Sequence, residues 1–241
     1  MLLPARTCLS IKQRTMIIQG LQKLTVLDFP GQVACIVFTA GCSFRCPFCH
    51  NATLVKGEGD RIPEEEVLSY LKKRQGILDG VVITGGEPTL QNDLKDFIIK
   101  VKGMGYKVKL DTNGYHPDKL KELLDEGLVD YVAMDIKNSK EKYACTIGIQ
   151  NVDITRIERS VDLIKNGNVP YEFRSTVMAE LHQKEDVTAI SEWLKGAKKH
   201  YLQSFKDSGD ILCGTFTPLE EQKMIEFREI MAKNVTETGT R

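Results

Sequence analysis

Three cysteines stand at C-x3-C-x2-C spacing in Ala40-Gly41-Cys42-Ser43-Phe44-Arg45-Cys46-Pro47-Phe48-Cys49-His50-Asn51, directly after the apolar run Val33-Ala34-Cys35-Ile36-Val37-Phe38. The run reads as a buried strand, so the three thiols share one short loop leaving its end. Thiolates are soft ligands suited to zinc or to iron–sulfur clusters. Three of them on a four-iron cubane leave one iron without a protein ligand, and an open iron is a place for chemistry. Other chemistries fit parts of the same loop. Cys46-Pro47-Phe48-Cys49-His50 matches the C-x-x-C-H haem-attachment pattern, and its first four residues match a thioredoxin-type redox pair. Neither uses Cys42, and covalent haem goes with export, for which the leader Met1–Cys8 has too short an apolar run. A structural zinc site needs a fourth ligand, and His50, adjacent to Cys49, is awkwardly placed to close the same tetrahedron.

Three further polar motifs follow apolar runs. Gly85-Gly86-Glu87-Pro88 combines two residues that let a ligand approach the backbone with a carboxylate, although alone it is also an ordinary turn. Asp111-Thr112-Asn113-Gly114 fits a turn with glycine at positive φ. In Met134-Asp135-Ile136-Lys137 an acid and a base stand two residues apart, hence on one face of a strand, where buried charges need partners or a solvated strand end. Arg174, in Tyr171-Glu172-Phe173-Arg174-Ser175-Thr176, brings a planar fork suited to a carboxylate or peptide carbonyls. His182, Trp193, His200 and Gln203 read as structural or surface residues.

The elements that must position these residues alternate. Strands are expected at Val33–Thr39, Val81–Thr84, Tyr106–Asp111, Val129–Asp135, Tyr171–Met178 and Lys199–Gln203. Between them lie helical patterns: one opened by Pro63 ahead of Glu64-Glu65-Glu66, one over Asn92–Lys102, one opened by Pro117, and two carrying the Ile154–Ile164 and Val187–Leu194 stripes. Thr217-Pro218-Leu219-Glu220 reads as a capping box starting a last helix that packs through Phe227 and Ile230. Strict alternation implies parallel strands with right-handed crossovers. An open doubly wound sheet and a barrel both satisfy it. The motifs fall on four successive strand ends, as in barrels whose sites gather at the C-terminal face of the strands, and six units make a partial barrel with a gap in its wall.

The 241 residues suit one α/β domain. Lysines and arginines number 33 and aspartates and glutamates 33, so no global positive field draws the chain to nucleic acid or to an acidic membrane. Seven cysteines, an odd count with three in one loop, point to metal chemistry in a reducing compartment rather than a disulfide framework. Cys8, Cys35, Cys145 and Cys213 read as buried small hydrophobes or unremarkable thiols. No segment approaches the length of a membrane span. A cytoplasmic location is expected, with residues 1–15 a flexible extension or an upstream start and 16–241 the domain.

With its aromatic residue before the last Cys, the C-x3-C-x2-C loop resembles the cluster loop of radical S-adenosylmethionine enzymes. Cys49-His50-Asn51 and Leu27-Asp28-Phe29-Pro30-Gly31 resemble the glycyl-radical-enzyme activating proteins, most closely the anaerobic ribonucleoside-triphosphate reductase activating type; the similarity runs from about Gly20 to about Asp210. The resemblance implies a partial (β/α)6 barrel, with Cys42, Cys46 and Cys49 holding a 4Fe–4S cluster whose fourth iron chelates S-adenosylmethionine. Reductive cleavage to a 5′-deoxyadenosyl radical would then take a hydrogen atom from a glycine of a partner enzyme. It further implies that Gly85, Gly86 and Glu87 grip the methionine amino group, that Phe48 and His50 lie by adenine, and that Asp111 and Thr112 lie near the carboxylate, with a monovalent cation as a further component. Asp135, Lys137 and Arg174 are implied as cofactor contacts, and Asp28 as a neighbour of the substrate peptide. The implied partners are the anaerobic reductase and a low-potential electron donor such as flavodoxin or ferredoxin. Activation of pyruvate formate-lyase or another glycyl radical enzyme, and small-molecule chemistry of the 7-carboxy-7-deazaguanine synthase kind, are the alternatives. Around Tyr201-Leu202-Gln203-Ser204-Phe205 there is no counterpart of the late cofactor-contacting histidine of the pyruvate formate-lyase activator.

Overall fold

Eight strands follow one another across a single sheet in chain order in the computed structural model, which describes residues 16–241. The expectation for residues 1–15, Cys8 included, lies outside the described residues. The strands are β1 (Ile18–Thr25), β2 (Ala34–Thr39), β3 (Gly80–Gly85), β4 (Lys107–Thr112), β5 (Tyr131–Asp135), β6 (Tyr171–Val177), β7 (Lys199–Ser204) and β8 (Glu237–Thr240). From β2 to β8 every pairing is parallel. β1 instead runs antiparallel to β2, and among the described residues no pairing joins β1 to β8, so the barrel stays open on that side. The six expected strands are thus present, each within about two residues of its expected ends, and two more flank them.

Both additions escaped the sequence pattern for physical reasons. β1, Ile-Gln-Gly-Leu-Gln-Lys-Leu-Thr, has three successive exposed residues and owes its conformation to the β2 ladder rather than to an apolar run. β8 is four residues long and half exposed.

Helices α1 (Ala52–Lys56), α2 (Glu64–Arg74), α3 (Leu94–Gly103), α4 (Pro117–Asp125), α5 (Tyr143–Thr146), α6 (Ile154–Asn166), α7 (Lys184–Trp193) and α8 (Glu221–Met231) cross between strands or follow them. In α3, Leu94, Phe97, Ile98 and Val101 are all buried, the stripe expected of that segment. Their large core lies between helices and sheet. A smaller one of Phe29, Ala34, Ile36, Val82 and Tyr131 lies apart from it. The expected capping box at Thr217–Glu220 does not form. α8 begins at Glu221, and the Thr217 amide donates instead to the Glu180 carboxylate at 3.0 Å. Phe227 and Ile230 are buried as expected.

His182 and His200 are fully buried. His182 receives the Met178 amide at Nδ1 (3.4 Å), and its Nε2 lies 3.0 Å from the Lys137 carbonyl, bracing the end of β5. His200 Nε2 lies 3.0 Å from Ser175 Oγ, and burial pushes its imidazole down to about 3. A histidine held neutral in the fold takes up its proton only in the unfolded chain between pH 6.5 and about 3. Stability is therefore lost across that window as pH falls, at about 1.4 kcal/mol per pH unit from this group. The urea midpoint should fall less steeply between pH 6.5 and 4 in His200→Gln than in the native chain; equal slopes would contradict the assignment.

Candidate active site

The cysteine loop leaves β2 at Ala40 and runs over a cavity of about 340 Å³. Cys42, Cys46 and Cys49 all line it, with Cys46 buried and the other two half-buried. The loop is fastened from several sides. The Cys49 amide donates to Cys46 O at 3.0 Å, and the Arg45 guanidinium caps the carbonyls of Cys42 (2.6 Å) and Phe44 (2.7 Å). The segment after β7 straps it: Leu212 N donates to Cys49 O (3.1 Å), Cys213 N to Pro47 O (3.0 Å) and Ser208 Oγ to His50 O (3.0 Å). Asp210 accepts from the Thr53 amide and hydroxyl, both at 3.1 Å.

Burial pushes the Cys42 thiol up to about 11, with Glu87 adding to the rise, and the Cys46 thiol up to about 12, with Lys137 working the other way. Bare thiolates are disfavoured here, so ligation requires a metal charge that displaces the protons. Two amide groups already point at sulfur: Phe44 N lies 3.3 Å and Asn113 Nδ2 3.6 Å from Cys42 Sγ, the kind of donor that stabilises a metal-bound thiolate. Among the described residues no three His, Cys, Asp or Glu side chains converge as the ligands of one metal ion would. In a cubane each thiolate bonds a different iron, so convergence on one point is not required. A soft three-thiol donor set beside a roomy, polar cavity fits such a cluster.

Gly85 and Gly86 end β3 against the start of the cysteine loop. A Cβ on Gly86 would stand 1.9 Å from Gly41 O, and one on Gly85 2.2 Å from Thr39 O. The close approach they permit is therefore first of all between two backbones, sealed by Gly86 N to Thr39 O (2.9 Å) and Glu87 N to Gly41 O (2.8 Å). Both also line the cavity. Glu87 is completely buried, and desolvation raises its pKa despite four donors. Its Oε1 accepts from Thr89 N (3.0 Å), Thr89 Oγ1 and Thr112 Oγ1 (2.8 Å), and its Oε2 from Asn113 N alone (2.6 Å). The carboxylate thus locks the ends of β3 and β4 together and keeps one lone pair of Oε2 unused.

Across the cavity a chain of alternating charges links three strands. Lys109 pairs with Asp111; Arg174 Nη1 reaches Asp111 (3.1 Å) and its Nε reaches Asp135 (2.9 Å); Lys137 closes the row on Asp135 (2.9 Å). Pairing in register sets this up, since Asp135 stands opposite Arg174. Burial works against the Asp135 carboxylate, but Arg174 and Lys137 override it and hold it well below the usual range; at Asp111 Arg174 and Lys109 likewise outweigh burial and lower the pKa. The acids are ionised at any ordinary pH, and the cations are committed to them.

The remaining expected residues also reach this cavity. Phe48 is buried, edge-on to Phe216 at 6.0 Å, while His50 is exposed at the rim. Asp28 lines the cavity from the loop after β1, tied to the Thr25 hydroxyl. Cys35 points into the helix-side core, and Cys145 and Cys213 are exposed. Gln203, read from sequence as structural or surface, lines the cavity beside Thr176, its partner in register on β6. Lys109 and the sulfur contact of Asn113 were not foreseen. The one available signal for Asn113 was its place beside Asp111-Thr112, and Lys109 reads as an ordinary strand lysine.

The Radical SAM superfamily model matches residues 36–194, from β2 to just past α7. A protein of Methanocaldococcus jannaschii, provisionally named a glycyl-radical enzyme activating enzyme, is 32% identical over 222 residues, 89% of this chain and 90% of its own length. The pyruvate formate-lyase-activating enzyme of Clostridium pasteurianum is 33% identical over 138 residues, 54% of this chain and 57% of that one. Streptococcus suis SuiB, in a crystal structure bound to S-adenosylmethionine, superposes with a TM-score of 0.65 at 14% identity, over 83% of this chain and 48% of SuiB, which shows the fold alone. The superfamily works with a 4Fe–4S cluster and S-adenosylmethionine, and the cavity's donors suit both. Among the described residues no helix is long and apolar enough to cross a membrane. By the extent of these matches, the chain belongs to the radical SAM superfamily and, within it, to the glycyl-radical enzyme activating enzymes.

Proposed function

We propose that this chain activates anaerobic ribonucleoside-triphosphate reductase by removing a hydrogen atom from one glycine of that enzyme. The observation that carries the reading is the meeting of Cys42, Cys46 and Cys49 with Gly85, Gly86, Glu87, Asp111, Asp135, Lys137 and Arg174 around one cavity. When bound there, a 4Fe–4S cluster reduced by flavodoxin or ferredoxin and S-adenosylmethionine supply a 5′-deoxyadenosyl radical.

The chain's own residues place and shield that chemistry. Cys42, Cys46 and Cys49 would hold three irons of such a cluster and leave the fourth accessible. Gly85, Gly86 and the spare lone pair of Glu87 receive the amino group, while Thr112, with Asp111 and a monovalent cation, orients the carboxylate. Asp135, Lys137 and Arg174 form a fixed polar wall that orients the ribose and excludes stray water. Phe48 and His50, on a backbone strapped by the segment after β7, would flank the adenine. Asp28 meets the incoming polypeptide, whose glycine has no side chain to block the approach. Residues 16–241 act as one domain, in the reducing cytoplasm where thiolate clusters persist.

The Clostridium relative favours a second reading, activation of pyruvate formate-lyase. Mixing the reduced, reconstituted protein with S-adenosylmethionine and each purified partner in turn, followed by electron paramagnetic resonance, separates them. A glycine-centred doublet on the ribonucleotide reductase is expected. A doublet on pyruvate formate-lyase alone transfers the assignment, and turnover of a free small molecule without any doublet overturns both.

A further inference from the structure

One buried carboxylate beneath the cavity takes no part in the chemistry above. Glu172 lies on β6 two residues before Arg174, on the strand face that continues through Arg174 and Thr176 into the cavity, and it is 1% exposed. Its partner comes from just beyond β8. Arg241 grips it with both arms of the guanidinium, Nη1 to Oε1 at 2.9 Å and Nη2 to Oε2 at 3.0 Å, and the Tyr131 hydroxyl donates to Oε2 at 3.2 Å.

Arg241 is itself held in place. Its guanidinium stacks on the Tyr201 ring, 3.8 Å from the ring centre, and its amide extends the β7–β8 ladder to Leu202 O at 2.9 Å. The ring can lie against β8 only because its partner in register is Gly239, where a Cβ would stand 2.9 Å from Tyr201 carbons. The Tyr201 hydroxyl is in turn tied to Glu237. The Arg241 side chain is 41% exposed, yet the bidentate fork, the ring stack and the ladder bond together hold it in one geometry over the buried Glu172.

We propose that Arg241 is a positioning residue for the cofactor cavity, which it serves by neutralising Glu172 and so reserving Arg174 for Asp111 and Asp135. Arg174 feels all three carboxylates, Asp111 and Asp135 more than Glu172. A buried carboxylate stripped of its bidentate partner does not stay unpaired. The next cation on the same strand face is Arg174, and drawing it towards Glu172 weakens the pairs at 3.1 Å and 2.9 Å that shape the cavity wall. The inference rests on the reading of that cavity as the S-adenosylmethionine site.

The test is equilibrium binding of S-adenosylmethionine to anaerobically reconstituted holoenzyme, with thermal unfolding alongside. Arg241→Gln should weaken binding at least tenfold. Arg241→Lys, which keeps the charge without the fork, should recover part of the loss. Glu172→Gln alone should leave affinity within about threefold, and Glu172→Gln combined with Arg241→Gln should restore it to that range, since no unpaired acid remains. Variants that lower the unfolding temperature while leaving affinity untouched would reduce the pair to a structural clamp and overturn the proposal, as would a double variant no better than Arg241→Gln. A native holoenzyme that binds no S-adenosylmethionine would instead overturn the reading of the cavity.

Discussion

Cys46→Ser should fold and yet retain little iron after anaerobic reconstitution, with S-adenosylmethionine cleavage falling roughly a thousandfold or more, to background. Serine is nearly isosteric with cysteine, so packing at this 6% exposed position changes little. What changes is the ligand, because a neutral hydroxyl is a poor substitute for a thiolate at iron. The effect should be confined to the loop. Cys35→Ala removes a thiol buried in the helix-side core, and Cys213→Ala removes an exposed one whose own backbone amide touches the cluster loop. Both should keep full iron content, Cys35→Ala with some loss of stability from the space left behind. Iron and sulfide per chain, measured across the set, check this. Iron binding that survived Cys46→Ser but failed in Cys35→Ala would place the metal elsewhere.

The second large effect comes from a methyl group. Gly86→Ala puts a Cβ 1.9 Å from the oxygen and 2.6 Å from the carbon of the Gly41 carbonyl, backbone atoms that no rotamer change can move aside. The strand end and the loop must separate, straining the hydrogen bonds from Gly86 N to Thr39 O and from Glu87 N to Gly41 O. A cost of about 3 kcal/mol is expected, which in a chain of this size lowers the unfolding temperature by roughly 6–12 °C. Gly41 immediately precedes Cys42, so the displacement also reaches the first cluster ligand, and iron content should fall with stability. Gly103→Ala, at the end of α3 with nothing within 4 Å of the added methyl, serves as the control and should be neutral or slightly stabilising. Equal unfolding temperatures for the two variants would contradict the packing described.

What was legible in the sequence follows from how local each signal is. The six central parallel strands announce themselves because a strand covered by helices reads as a run of β-branched and aromatic residues. Their order placed four polar motifs on one face, and the cavity does gather residues from all four. β1 and β8 depend on their neighbours for their ladder bonds and left no such run. The two glycines were legible as a close approach, but not that the other party is the backbone of Thr39 for Gly85 and of Gly41 for Gly86 rather than a ligand alone. Asp135, Lys137 and Arg174 could be marked as charges needing partners. That they satisfy one another through Lys109 and Asp111 depends on strand register, which spacing within one strand does not report. The strap at 208–213 and the Gln203 lining depend on where β7 delivers the chain, a tertiary fact with no local signature.

The central claim is that three cysteines hold a four-iron cluster with one corner left for S-adenosylmethionine. Mössbauer spectroscopy on oxygen-free, reconstituted protein, recorded before and after adding S-adenosylmethionine, tests it most directly. One iron in four should change its signal on addition while the other three stay thiolate-like. Four irons that remain unmoved, or a preparation that takes up only zinc, would contradict the account.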